Sequence, residues 1–96
     1  MYQSKIIGAG HYVPENIVAN QDLEKLMNTT DEWIVQRTGI KERRYFTEGK
    51  DTTATMGARA AEKAIMHAGI DKNEIELIVF ATLSPDYYFP GCGVLL

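Results

Sequence analysis

Leu77-Ile78-Val79-Phe80-Ala81 is an uninterrupted apolar run of strand length, with no polar residue alternating inside it. A strand that is apolar at every position has both faces covered, as in a parallel sheet packed between helices. That requirement predicts an α/β sandwich. Ser4 to Ala9, centred on Ile6 and Ile7, reads as a second strand. Between the two lies the longest helical pattern, capped by Asp51 or Thr52, running to Ala68 and stopped by Gly69. Met56, Ala60, Ala61, Ala64, Ile65 and Ala68 line one side of it, and the alanines allow a neighbouring backbone to come close. Two strands needing cover on both faces and three helices with narrow apolar faces do not close a core in 96 residues. Further strands are therefore expected beyond Leu96. The uncapped, uncharged ending Gly91-Cys92-Gly93-Val94-Leu95-Leu96 points the same way, so residues 1–96 read as part of one domain of a longer polypeptide.

The shorter segments read as follows. Gly8-Ala9-Gly10 invites a dinucleotide-binding reading, but Val13 stands where a third small residue is needed, and Pro14 follows where a helix should open. Proline holds Val13 extended, so Gly10 to Val18 is expected to be turn and loop. His11 has only Glu15 nearby to orient it and makes a poor general base. Asn20 is expected to cap a short helix through Met27, with Leu23, Leu26 and Met27 as its apolar stripe. Arg43 to Phe46 reads as a short strand, Thr47 to Lys50 as a polar turn, and Asp71 with Glu74 as the frame of another.

The segment Thr29 to Ile40 carries the strongest functional signal. Thr29 with Glu32 three residues on makes a capping-box pattern, and Gly39 supplies a left-handed stop. Trp33 and Arg37, four residues apart, then share a helix face. An aromatic plane and a guanidinium side by side suit an adenine-plus-phosphate ligand such as coenzyme A. The competing structural reading makes Trp33 a core anchor and pairs Arg37 with Asp31 or Glu32. Four of the ten Lys and Arg residues, Arg37, Lys41, Arg43 and Arg44, fall within eight positions of a chain with net charge −3. Such a patch on an acidic background is a local anion site or a solvated loop, and nucleic acid is not an expected partner.

One cysteine rules out an intrachain disulfide and fits a reducing compartment, and a single Cys with two separated His residues gives no zinc pattern. The start Met-Tyr-Gln-Ser-Lys lacks the features of a signal peptide, and no apolar run approaches the ~18 residues that cross a membrane. A cytoplasmic protein with no membrane partner is expected.

Lys5-Ile6-Ile7-Gly8, Tyr12-Val13-Pro14-Glu15, Asp31-Glu32-Trp33-Ile34, Arg37-Thr38-Gly39-Ile40, Thr55-Met56-Gly57, Ala68-Gly69-Ile70, Leu77-Ile78-Val79, Ala81-Thr82 and Phe89-Pro90 occur in one collinear series. With them the chain resembles the N-terminal part of the β-ketoacyl-acyl-carrier-protein synthases III, condensing enzymes of the thiolase-like superfamily. The resemblance implies a layered αβαβα fold and a homodimer of duplicated α/β halves. It also implies transfer of an acyl group from acyl-CoA to an active-site cysteine, then condensation with malonyl-acyl-carrier protein. Coenzyme A enters as part of the substrate; no separate cofactor is implied. By the same resemblance, Trp33 stacks on the adenine of coenzyme A, Arg37 reaches its phosphates and Thr29 is a further contact at that mouth. Phe89 crosses the dimer to bound the partner's acyl pocket. The family's catalytic Cys, His and Asn are expected after Leu96, so none of these residues is assigned a catalytic role. Cys92 lies in the Phe-Pro segment and lacks the small-residue helix start expected of a nucleophile. Ser84-Pro85-Asp86-Tyr87-Tyr88 and Gly91-Cys92-Gly93 depart from the common pattern, which leaves the primer open. Two other readings stand beside this one: a condensing enzyme of secondary metabolism, and a non-catalytic coenzyme A-binding or interaction subunit.

Overall fold

The computed structural model describes residues 2–96. The chain falls into two compact units, Val13–Lys50 and a second that joins the segment up to Tyr12 with Asp51–Leu96.

In the first unit the order is β1 (Asn16–Ala19), α1 (Asn20–Glu24), α2 (Asp31–Thr38) and β2 (Glu42–Tyr45). β1 and β2 pair antiparallel, with Asn16 opposite Tyr45 and Ala19 opposite Glu42. β1 falls inside the stretch expected to be loop. Pro14 forbids a helix but is compatible with a short strand two residues later, and a strand partner 23 or more residues away leaves no mark in local sequence. α1 is shorter than the sequence pattern suggests, ending at Glu24, with Leu26 and Met27 left 74% and 53% exposed. Their stripe has nothing here to pack on. β2 lies one residue earlier than expected, and the turn after it closes by Lys50 N–H donating to the Thr47 carbonyl at 3.0 Å.

The second unit is organised by α3 (Thr53–Ala68). Thr52 caps it, its hydroxyl accepting from Thr55 N–H at 3.1 Å, and Gly69 ends it at φ 70°. The alanine face does what small residues permit. Gly8 and Gly10 lie against the helix backbone so closely that a Cβ on Gly8 would stand 2.6 Å from the Ala64 carbonyl oxygen, and one on Gly10 2.5 Å from Ala64 N and 2.6 Å from the Ala60 oxygen. These glycines serve helix packing. Ala9 N–H donates to His67 Nδ1 at 3.0 Å and fixes the register of that contact. Further along, Gly57 leaves room for Phe80, whose ring would meet a Cβ there at 2.8 Å. A short 3-10 turn, Lys72–Glu74, follows α3, capped by Asp71 with Glu74 reaching back to the Asp71 N–H at 2.7 Å. The chain ends in α4 (Cys92–Leu95).

Two expectations are corrected. Neither Ser4–Ala9 nor Leu77–Ala81 forms a strand, because a strand exists only by pairing and the described residues hold a single two-stranded sheet, β1 with β2. Leu77–Ala81 is covered on one side alone. Phe80 is turned to α3, while Leu77 and Val79 are 79% and 83% exposed.

The packing of Gly10 generates a test. Gly10→Ala forces a methyl into the backbone of α3 and should cost about 1–3 kcal/mol in urea unfolding of the full-length protein. An unchanged unfolding midpoint would contradict the close approach.

Candidate functional site

α2 carries Trp33 and Arg37, and its placement starts from a buried amide. Asn20 is 0% exposed. Its Nδ2 donates to Asp31 Oδ1 at 2.7 Å and to the Ile40 carbonyl at 2.8 Å, while its Oδ1 accepts from Arg43 Nη2 at 2.7 Å. Its own N–H donates to the Lys41 carbonyl at 3.1 Å. Asn20 is thus the first residue of α1 and not a cap: its side chain points inward, and Asp22 Oδ2 accepts from the Ala19 N–H instead. α2 is capped by Thr30, whose hydroxyl accepts from Trp33 N–H at 3.1 Å, so the capping-box reading on Thr29 is one residue early. Glu24 adds a carboxylate acceptor for Asp31 N–H at 2.6 Å. At the other end Gly39 takes φ 72° and Thr38 Oγ1 links the Ile34 carbonyl to Ile40 N–H.

On the outer face of α2 the Arg37 guanidinium carbon lies 5.4 Å from the centroid of the Trp33 ring, within cation–π range. Trp33 is 53% exposed, so it is not a core anchor. Asp31 is engaged by Asn20, and the described residues hold no ion pair between Arg37 and Asp31 or Glu32. Thr29 joins Trp33, Asn28 and Thr30 in lining an open cleft of about 230 Å³. Three residues singled out from the sequence therefore meet at one surface. The wider basic patch does not survive intact: Arg43 is spent on Asn20 and on the Val18 carbonyl, and Arg44 Nη1 donates to the Pro14 carbonyl at 2.8 Å. Arg37 and Lys41 are exposed, as is Arg44 despite its bond to Pro14.

Phe89 belongs to the other unit. It stands 91% exposed in the segment before α4. Cys92, by contrast, is 3% exposed, its Sγ accepting from Asp86 N–H at 3.4 Å and facing Asp86 Oδ2 at 3.9 Å. That burial shields the thiol from alkylating reagents. Asp86 in turn caps α3, its two oxygens accepting from Thr53 and Ala54 N–H at 2.9 Å each. Reading by sequence spacing also misses Asp51, 4% exposed, which accepts from Tyr12 Oη and Arg59 Nη1 at 3.0 Å each while Arg59 lies over the Tyr12 ring. Positions 12, 51 and 59 meet only through the fold. No group of three or more His, Cys, Asp or Glu among the described residues is arranged to hold a metal ion, and no helix there is long and apolar enough to cross a membrane.

The chain has known counterparts in sequence and in fold. Over 93 residues the chain is 52% identical to a β-ketoacyl-acyl-carrier-protein synthase III of Chlamydia pneumoniae, a match that takes in 97% of this chain and 28% of that protein. It superposes on the crystal structure of 3-oxoacyl-acyl-carrier-protein synthase III from Aquifex aeolicus with TM-score 0.89 and 47% identity, across 95% of this chain and 29% of that one. It also superposes on the priming β-ketosynthase of the R1128 polyketide biosynthetic pathway, with TM-score 0.88 and 35% identity, across 95% and 27%. No family model matches. The fold is that of part of a thiolase-like condensing enzyme. More narrowly, the chain is homologous along nearly its whole length to β-ketoacyl-acyl-carrier-protein synthase III, of which it spans somewhat under a third.

Asp86 gives this region a pH dependence. The Ala54 N–H bond holds its carboxyl below the usual value of 3.8; burial opposes that, and the Thr53 N–H with the Thr52 and Thr53 hydroxyls assists. A carboxyl lowered in the folded state stabilises it above the unfolded pKa, and this contribution is lost as pH falls through the folded value. Asp86→Asn should therefore melt below the native protein at pH 7, with the gap closing as pH falls below about 4. A gap constant from pH 7 to 3 would contradict the assignment.

Proposed function

We propose that the full-length protein is an acyltransferase that takes an acyl group from acyl-CoA and condenses it with malonyl-acyl-carrier protein, releasing carbon dioxide, and that these residues supply its coenzyme A mouth. The observation that carries this reading is the pair on α2: an exposed Trp33 with the Arg37 guanidinium 5.4 Å from its ring centroid, beside the Thr29 cleft. Arg37 takes one face of the indole, which leaves the other for adenine, and its N–H groups for phosphate oxygens. Stacking of this kind is worth about 1–3 kcal/mol per base.

The reaction proposed runs in two stages. A cysteine thiolate outside these residues attacks the thioester carbonyl and expels coenzyme A as its thiolate, leaving an acyl-cysteine. Decarboxylation of malonyl-acyl-carrier protein then delivers a carbanion to that acyl carbon, and the cysteine departs. Cys92 is not assigned to this role, being buried against Asp86. The contribution of Trp33, Arg37 and Thr29 is binding energy applied far from the reacting carbon. Phe89 is proposed to reach a second copy of the protein and bound its acyl pocket, which fits a side chain that is 91% exposed. A soluble cytoplasmic homodimer is part of the same proposal. The likeness to a priming polyketide ketosynthase supports a second reading, in which the same mouth serves secondary metabolism with another acyl donor or acceptor.

Trp33→Ala and Arg37→Ala should each raise KM for acyl-CoA about ten- to a hundredfold with a smaller effect on kcat, since a lost handle removes ground-state and transition-state binding alike. Steady-state kinetics that left KM unchanged and collapsed kcat would overturn the reading. For Phe89→Ala the expected outcome is an altered ranking of acetyl-, branched- and longer acyl-CoA primers. A preserved ranking with a lowered melting temperature would make Phe89 structural only.

A further inference from the structure

We infer that Asn20, which is fully buried, is the residue that positions the coenzyme A mouth: its one amide nitrogen ties both ends of α2 to the β1–β2 ribbon. The inference rests on the reading of Trp33 and Arg37 as coenzyme A contacts. α2 has eight residues, below the roughly 12–15 at which an isolated helix becomes even marginal in water. Its apolar anchorage is slight, because Ile34, at 9% exposure, is its single buried residue. Neither propensity nor burial therefore locates this helix. The Asn20 amide does, since Nδ2 donates at 2.7 Å to Asp31, the first residue of α2, and at 2.8 Å to the carbonyl of Ile40, the residue after its C-cap. The remaining side-chain acceptor is taken by Arg43 of β2 at 2.7 Å, and the Asn20 N–H holds the Lys41 carbonyl beside it.

The chemistry of the position admits one side chain. Two donors and an acceptor at this reach are the inventory of an asparagine amide. Aspartate keeps the volume and the Arg43 contact but turns the two donors into an acceptor aimed at a carboxylate and a carbonyl. Serine falls short of at least one end, and at 0% exposure glutamine has no room for its extra methylene. Loosening either tie lets α2 shift, and a ligand-contacting pair held about 1 Å off its productive place loses much of its value.

The test is calorimetric titration with coenzyme A on the full-length protein, native and carrying Asn20→Asp, Asp31→Ala, Trp33→Ala or either of the first two combined with Trp33→Ala. Asp31→Ala cuts one end of the clamp only and decides the question on its own if Asn20→Asp does not fold. Expected are losses of affinity of about tenfold or more for Asn20→Asp and roughly three- to tenfold for Asp31→Ala. Each loss should shrink at least about twofold in the Trp33→Ala background, because a displaced helix then has only Arg37 left to misplace. KM for acyl-CoA should rise while kcat at saturation stays within about threefold. Folded variants that bind coenzyme A as the native protein does, or whose losses persist undiminished beside Trp33→Ala, would overturn the positioning role. Trp33→Ala that leaves affinity unchanged would instead overturn the coenzyme A reading of the mouth, and this inference with it.

Discussion

A buried amide with both N–H donors and its oxygen engaged governs the unit that holds the candidate site. Asn20 is fully buried, yet it is polar, and leaving one of its partners unsatisfied would cost about 1–3 kcal/mol. Its partners lie at residues 31, 40, 41 and 43, the third of them held by its backbone N–H, so a single residue sets the path of the chain before, after and across α2. No buried side-chain polar atom among the described residues lacks a partner, which is the condition under which such a network specifies one arrangement. Trp33 and Arg37 can then remain exposed without making α2 depend on them. Binding groups and anchoring groups are thus different residues.

The other unit is held by a different device. Where α2 is clamped by hydrogen bonds, α3 is approached backbone to backbone, with Gly8 and Gly10 set against Ala60, Ala64 and Ala68. Its N-terminus is closed by Thr52 and by the Asp86 carboxylate, and Asp86 in turn engages Cys92 at the start of α4. That chain of contacts orders the segment from which Phe89 projects. The apolar residues left uncovered, Leu77, Val79 and Leu83 among them, form the counterpart of this economy: one side of the Leu77–Ala81 run is packed and the other is not.

Local rules made some of this legible beforehand. Gly39 and Gly69 ended helices where left-handed stops were read, and Thr52 was one of two caps named for α3. The alanine face of α3 announced a close backbone neighbour, and glycines proved to be that neighbour. The Trp33–Arg37 pairing followed from the helical repeat alone. What escaped was non-local. Asn20 reads as a helix cap from its own neighbours, and only partners eleven and more residues away turn its amide inward. β1 lacks any signal but its distant pairing with β2, and two of the three arginines that looked like an anion patch, Arg43 and Arg44, bond to the carbonyls at positions 18 and 14. The run Leu77–Ala81 shows the opposite failure, since its composition demands two covered faces while the described residues give it no pairing partner and leave Leu77 and Val79 exposed.

The central claim, that α2 presents a coenzyme A mouth, is tested most directly by a crystal structure of the full-length protein with coenzyme A bound. The account predicts adenine stacked on the face of Trp33 that Arg37 leaves open, at about 3.5–4 Å, with a phosphate oxygen within hydrogen-bond reach of the Arg37 guanidinium. Coenzyme A bound elsewhere, with the Trp33 ring and Arg37 both in solvent, would contradict it.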